Sequence, residues 1–471
     1  MGGSIGRRRK SLWWARVRFP YHPQIIIKKN NLIMLELTGK YTNAFIYADT
    51  IENECISQIY ELINHPAFKD SKVRIMSDCH AGANICIGFT APLHDYVDPN
   101  HIGVDIGCSM TSLELSKCLS PDDYVNFEHK VRNAVPTGYD IHTKIQFNEN
   151  ELYKFLTNKY NRAYSIWPKA INHVERIDEK FITKLSSRIG MDLGKFYNSL
   201  GTLGGGNHFE EYGETEDGRA FFTVHCGSRN FGLKVAKYWS SRSKEGALSK
   251  SQIREYTEEF KKTYRNTHND MRNFKNDLNA YLETKKSGYL NGYLNGDLLK
   301  GYLSDMVIAQ AYAEFNHKVI CDLVKDILLK FGIKVVDKIY TTHNYISFED
   351  KIMRKGAIAS YKGKKMIIPF NMRDGLAICM GKSNEDWNCS APHGAGRIMS
   401  RAKAKANINV EDFKKTMEGI YSTCVGVGTL DESPMAYKDT NEILELIKPT
   451  CDVLFMVKPK INIKAMDSTE E

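Results

Sequence analysis

The sequence predicts an α+β fold, one large domain of mixed sheets carrying a helical insertion. Strand-like stretches at 34–48, 73–115, 201–232 and 335–400 are separated by helix-rich stretches at 120–200 and 250–330. No Pro/Gly/Ser-rich linker divides the chain. Its 471 residues, 42% of them hydrophobic, suffice to bury a sizeable core.

Each element has its own signal. Residues 34–48 read as short strands. Residues 51–65 place Ile51, Cys55, Ile59, Leu62 and Ile63 at helical spacing. Residues 73–115 alternate apolar stretches with Gly, Asp and His, as strands joined by tight functional loops do. Residues 201–232 return to strands with Gly-rich turns. The insertion spans about 235–330 and is interrupted by a doubled Tyr-Leu-Asn-Gly at 289–296. That repeat is too short for a solenoid. It reads as a loop between a charged helix and an apolar helix around 301–330. Helices are expected at 410–422 and 440–448, and a last strand at 452–464. The domain is drawn at 34–465, with a tail at 466–471.

The net charge of +9 is unevenly spread. Residues 1–33 hold Arg7, Arg8, Arg9, Lys10, Arg16, Arg18, Lys28 and Lys29 and no acid, so the remainder carries only +1. We read this basic leader as disordered or as a translated upstream stretch, with Met34-Leu35-Glu36-Leu37 opening the first strand. Trp13-Trp14 and Ile25-Ile26-Ile27 have no partners evident in the sequence. A phosphate-binding arm and a targeting segment are the alternatives. No apolar run approaches the roughly 18 residues that span a bilayer. The eleven cysteines form no CxxC pair, which points to a reducing, cytoplasmic setting with most thiols buried.

Chemistry-bearing residues stand beside glycines in six places. Five are Asp78-Cys79-His80-Ala81-Gly82, Gly103-Val104-Asp105-Ile106-Gly107-Cys108, Gly204-Gly205-Gly206-Asn207-His208-Phe209-Glu210-Glu211, His225-Cys226-Gly227-Ser228-Arg229 and Thr342-His343-Asn344. Two divalent ions about 4 Å apart can stabilise both the attacking and the leaving oxygen of a phosphoryl displacement. Such a pair needs neutral imidazoles and a bridging anion, which Asp105 or Cys108 can supply from one tight turn. Mixed N/O/S donors suit manganese, zinc or iron alike. Taken singly, each histidine reads as a hydrogen-bonded structural residue; only co-occurrence points to metal. The sixth place is His393-Gly394-Ala395-Gly396-Arg397. It combines a nucleophile able to form a phosphoramidate, small residues that permit close approach, and a guanidinium suited to phosphate. The basic face of Ser400-Arg401-Ala402-Lys403-Ala404-Lys405 reads as a solvated first helical turn. The run Gly201–Asn207 is neither a P-loop nor a dinucleotide fingerprint.

Taken in order, MSDCHAG, GVDIGCSM, LGTLGGGNHFEE, VHCGSRNFG, THNYIS, RKGAI, HGAGRIMSR and PMAYKD resemble the RtcB family of RNA ligases. The resemblance runs from about residue 36 to about 465. It implies an RtcB-like catalytic domain. It also implies a reaction joining RNA 3′-phosphate or 2′,3′-cyclic phosphate ends to 5′-hydroxyl ends, with GTP as co-substrate and two manganese ions. By position, Asp105, Cys108, His208, His225 and His343 match metal ligands, Cys108 being the bridge. His393 matches the guanylylated histidine, and Asp78 an acidic residue beside the metals. Asn207, Glu211, Asn344, Tyr437, Lys464, Gly394, Ala395 and Gly396 match the nucleotide's surroundings, and Arg229 and Arg397 residues for phosphate or RNA. The implied partners are broken RNA or tRNA halves and GTP, without a membrane; no helper protein is identifiable. Departures from the family pattern are Ser77, Cys79, Ser109, the loop Phe370–Gly375 and Ala465. That loop resembles a bacterial branch, whose role is RNA repair rather than tRNA splicing. Two other readings compete: a metal-dependent cyclic phosphodiesterase that does not seal, and a nonenzymatic RNA-binding protein.

Overall fold

The computed structural model describes residues 24–28, 32–244, 250–267, 271–285 and 290–465. Residues 1–23 of the leader and the tail 466–471 lie outside the described residues.

Among the described residues, the strands form two seven-stranded sheets and a two-stranded ribbon. In spatial order the first sheet is Gln24–Lys28, Leu32–Thr38, Asn43–Ile46, Val73–His80, Ile87–Pro92, Ile352–Lys355 and Asn344–Ile346. Its parallel pair, Asn43–Ile46 with Val73–His80, is bridged by the helix Asn53–Ile63, because parallel neighbours need a crossover. Ile25, Ile26 and Ile27 find backbone partners in Leu35, Met34 and Ile33. The second sheet is antiparallel: Lys365–Asn371, Gly375–Gly381, Cys451–Ile463, Phe209–Glu214, Ala220–Cys226, Ser109–Leu115 and Val335–Thr342. Strands and helices mix without regular βαβ alternation, so the fold is α+β.

Local chemistry sets the helix ends. Asn148 and Asp178 cap the N-termini of Glu149–Ile166 and Glu179–Ile189, and Gly190 closes the latter in a left-handed turn. The central element is Gly296–Lys330, a 35-residue helix. Its stretch from Tyr302 to Val319 is buried in one core with the first sheet, Glu149–Ile166 and Arg229–Arg242. From Ile320 to Leu328 it enters a second core under the other sheet. A helix buried on most sides must be apolar on most sides, and this one is. The segment expected as an insertion is therefore heterogeneous. Lys250–Thr267 and Phe274–Lys285 pack on each other through Phe260, Tyr264, Phe274 and Tyr281, whereas Gly296–Lys330 is the shared core.

No helix among the described residues is long and apolar enough to cross a membrane. Phe315 is fully buried on the central helix, edge-on to Phe147 and Phe155 at 5.2 and 5.4 Å between centroids. Phe315→Ala is expected to destabilise by about 3–5 kcal/mol, read as a lower denaturant midpoint with an unchanged slope.

Candidate active site

The two sheets meet where the chain passes from Val335–Thr342 into Asn344–Ile346, and His343 is the residue at the crossing. Strand register brings further groups there. Ser109 pairs with both Cys226 and Thr342, so Cys108, His225 and His343 share one end of the sheet. The His343 N–H donates to the Cys108 carbonyl at 3.0 Å. His208 precedes Phe209, which pairs with His225. Asp105 comes from the turn before Cys108, and its Oδ1 accepts the Ser228 N–H at 3.0 Å. Gly227 is required here, since a Cβ would stand 2.2 Å from that carboxylate.

The result is two overlapping triads, Cys108–His225–His343 and Asp105–Cys108–His208, each with ligand atoms within 4.8 Å of one another. Cys108 Sγ lies 3.2 Å from His225 Nε2 and 3.6 Å from His208 Nε2. His225 Nε2 is 3.3 Å from His343 Nε2, and His208 Nε2 is 3.0 Å from Asp105 Oδ2. The opposite ring nitrogens set the tautomers. Nδ1 of His208 faces the Leu203 carbonyl at 3.0 Å, and Nδ1 of His225 faces the Asn207 carbonyl at 3.1 Å. A carbonyl only accepts, so Nδ1 carries the proton and the Nε2 lone pair points inward. Burial, with neighbouring histidines, holds His225 and His343 well below the ordinary imidazole pKa, in the neutral form that ligates. Burial and Asp105 push the Cys108 thiol up, a penalty that a cation would reverse. Inward lone pairs around one shared sulfur fit a pair of metal ions.

His393 stands beside this cluster, its ring centroid 4.9 Å from that of His343. Asp78 Oδ2 accepts from His393 Nδ1 at 2.6 Å and from the His393 N–H at 3.0 Å. This orients the ring and leaves Nε2 without a hydrogen-bond partner among the described residues. Gly396, at φ +76°, lets the loop lie against Asp78, whose carbonyl oxygen is 2.2 Å from where a Cβ would sit. His393 opens on a solvent-connected cavity. Asn207, Glu211, Gly394, Ala395, Gly396, Arg397, Tyr437 and Lys464 line it.

Asn344 and Arg229 are not on that wall. Asn344 Nδ2 donates to the Asp105 carbonyl at 3.3 Å, and its Oδ1 accepts the Gly356 N–H at 2.9 Å. Arg229 donates to Thr202 Oγ1 at 3.0 Å and to the Gly138 carbonyl at 2.9 Å. Both brace the walls of the site. Arg397 does reach the cavity, but it already donates to the carbonyls of Met399 and Asp431.

Sequence reasoning missed Glu432, Arg401 and Asn462, which also line the cavity. Arg401, expected on a solvated face, turns inward to Asp431 and Glu432. Glu432 also meets Lys464 Nζ at 3.2 Å and the Tyr437 hydroxyl at 2.9 Å. These partners come from distant segments, so no local spacing announces them. The departing loop Phe370–Gly375 supplies Phe370, Asn371, Met372 and Gly375 to the same wall. Burial raises the Glu211 pKa to about 8, against Asn462 and Lys464.

Burial would also raise Glu432, but Lys464, Arg401 and Arg397 overcome it and lower the pKa from 4.5 to about 2. A depressed carboxylate stabilises fully above its unfolded pKa, and that stability is lost as pH falls through the folded value. Glu432→Gln is expected to cost about 3–5 kcal/mol at pH 7 by leaving buried cations unpaired. The gap in melting temperature from the parent should close between pH 4.5 and 2.

The family model described as "tRNA-splicing ligase RtcB" matches residues 58–465. The RNA-splicing ligase RtcB of Escherichia coli K12 is 26% identical over 446 residues, covering 88% of this chain and 95% of the relative. The tRNA-splicing ligase RtcB of Archaeoglobus fulgidus is 24% identical, covering 84% of this chain and 88% of the relative. That of Nanoarchaeum equitans is 23% identical over 84% and 87%. With a single family model matching most of its length, and with the cysteine–histidine cluster and the HGAG histidine side by side, the chain belongs to the RtcB family of RNA ligases.

Proposed function

We propose that this protein is a GTP- and manganese-dependent RNA ligase. It joins a 3′-phosphate, or a 2′,3′-cyclic phosphate opened to it, to a 5′-hydroxyl through a histidine–guanylate intermediate. The observation that carries this reading is the Asp78–His393 hydrogen bond, which braces Nδ1 and leaves Nε2 of the ring for the cavity lined by Asn207, Glu211, Tyr437 and Lys464, beside a metal-type cluster.

Nε2 of His393 attacks the α-phosphorus of GTP; an N–P bond forms and pyrophosphate leaves. Asp78 holds the Nδ1 proton and stabilises the positive charge that develops on the ring. An oxygen of the RNA 3′-phosphate then takes the guanylate from the imidazole, breaking the N–P bond. The 5′-hydroxyl finally attacks the activated 3′-phosphorus and GMP departs. Asp105, Cys108, His208, His225 and His343 would hold two manganese ions, which neutralise charge on the phosphoryl oxygens. Phe370, Met372 and Tyr437 offer apolar surface for a base and ribose, while Lys464 and Arg401 set a positive field at that wall. Glu211, kept protonated near neutral pH by burial, can donate a hydrogen bond to the nucleotide. The eleven cysteines are all free, which supports a reducing, cytoplasmic setting for RNA repair or tRNA splicing.

A cyclic phosphodiesterase that does not seal would use the same metals and leave His393 idle. Intact-protein mass spectrometry after incubation with GTP and manganese separates the two. A guanylate adduct on His393, absent in His393→Ala, is expected; no adduct on metal-loaded protein across conditions rules out the ligase. Cys108→Ala is expected to weaken both metal sites, because the shared anion is lost. Elemental analysis showing two full equivalents retained would contradict the bridge.

A further inference from the structure

We infer that Tyr139 is a stacking platform for an unpaired base of the RNA end held at the metal cluster, and that Arg229 positions it. The inference rests on the RNA-ligase reading above.

Tyr139 is 77% exposed, the highest value among the exposed large hydrophobic side chains of the described residues. It makes no ring, cation or side-chain hydrogen-bond contact among the described residues. Exposure here is not looseness, because the turn that carries it is fastened on both sides. The Gly138 N–H donates to the Gly204 carbonyl at 2.8 Å, and the Gly138 carbonyl accepts from Arg229 Nη2 at 2.9 Å. His142 N–H donates to the Asn198 carbonyl at 3.0 Å, and His142 Nε2 lies 2.9 Å from the Gly201 carbonyl.

The anchors fix where the turn stands. Gly204 belongs to the loop that delivers His208, and a Cβ on Gly204 would be 2.9 Å from His208 Nδ1. A Cβ on Gly205 would lie 3.6 Å from Gly138 Cα and 3.9 Å from Ala465 Cβ, next to the cavity residue Lys464. The turn thus sits at the rim between the metal cluster and the cavity. Two more exposed apolar residues flank functional segments: Val104, before Asp105, at 50%, and Ile398, after Arg397, at 51%. Single-stranded RNA ends present bare base faces, and proteins hold them by stacking on aromatic rings.

The test uses full-length protein and short RNAs carrying the fluorescent base 2-aminopurine, either beside a 3′-phosphate or beside a 5′-hydroxyl. Binding to the parent protein is expected to quench one of the two probes, which assigns the end. Tyr139→Ala is expected to lose that quenching and to bind roughly ten-fold more weakly, with an unchanged melting temperature. Tyr139→Phe should retain both. An RNA abasic at the assigned position should bind parent and Tyr139→Ala equally. Quenching of neither probe, or equal affinity of parent and Tyr139→Ala for the fluorescent RNAs, overturns the proposal. The ligase chemistry is read separately, from the guanylate label on His393 that requires no RNA, so the two can fail independently.

Discussion

The hydrogen bond from the His343 N–H to the Cys108 carbonyl, 3.0 Å long, closes a strand register on which the whole site depends. Ser109 sits opposite both Cys226 and Thr342, so Ser109–Leu115 is clamped by a strand on each side. A slip of one residue in either pairing would turn Cys108 or His225 to the opposite face. The register is protected by burial. Leu113 and Phe222 are fully buried against the C-terminal third of the central helix, and a slip would expose them. Apolar packing of ordinary kind therefore fixes the convergence of polar groups from segments more than 200 residues apart in the chain.

Two electrostatic environments lie on either side of His393. One is rich in lone pairs: three imidazole nitrogens, a thiol and a carboxylate converge there. The other is already neutralised, with Glu432 held by Lys464, Arg401 and Arg397. The first can lower its energy by taking cations. The second can present positive side chains to an anionic nucleotide while Glu432 keeps those side chains ordered. In the reaction we propose, a histidine between them, braced on Nδ1 by Asp78, carries a phosphorus atom from the nucleotide side towards the metal side. The division of labour follows from which segments meet at the seam of the sheets.

Much of this was legible in the sequence. Helical spacing in Ile51, Cys55, Ile59, Leu62 and Ile63 corresponds to the helix Asn53–Ile63, and glycine-flanked histidines marked the turns at the seam. The block of α and β stretches gave the fold class. The central helix was visible as apolar but not as the shared core, because periodicity says which residues are buried and not what covers them. Glu432 left no trace, since its partners reach it from other elements. Arg401 was misjudged for the same reason: alternating Arg, Ala and Lys at 401–405 look solvated until a buried pair of acids is placed opposite the first of them.

Arg229 and Asn344 show how far residue type alone carries a functional reading. A guanidinium beside a glycine-rich loop suggests phosphate, yet its Nε and Nη2 are bound to Thr202 and Gly138. Its backbone sits at φ +54°, a left-handed conformation costing a non-glycine residue roughly 1 kcal/mol or more. Such strain persists only where surrounding bonds hold it. Here those bonds fasten the Gly138 turn to the loop that bears His208. Asn344 works in the same manner, with its amide spanning from Asp105 to Gly356. A polar side chain in a functional motif can thus fix the loops that build the site. Hydrogen-bond saturation in the folded chain tells the two roles apart, and a motif read as a string of letters does not contain it.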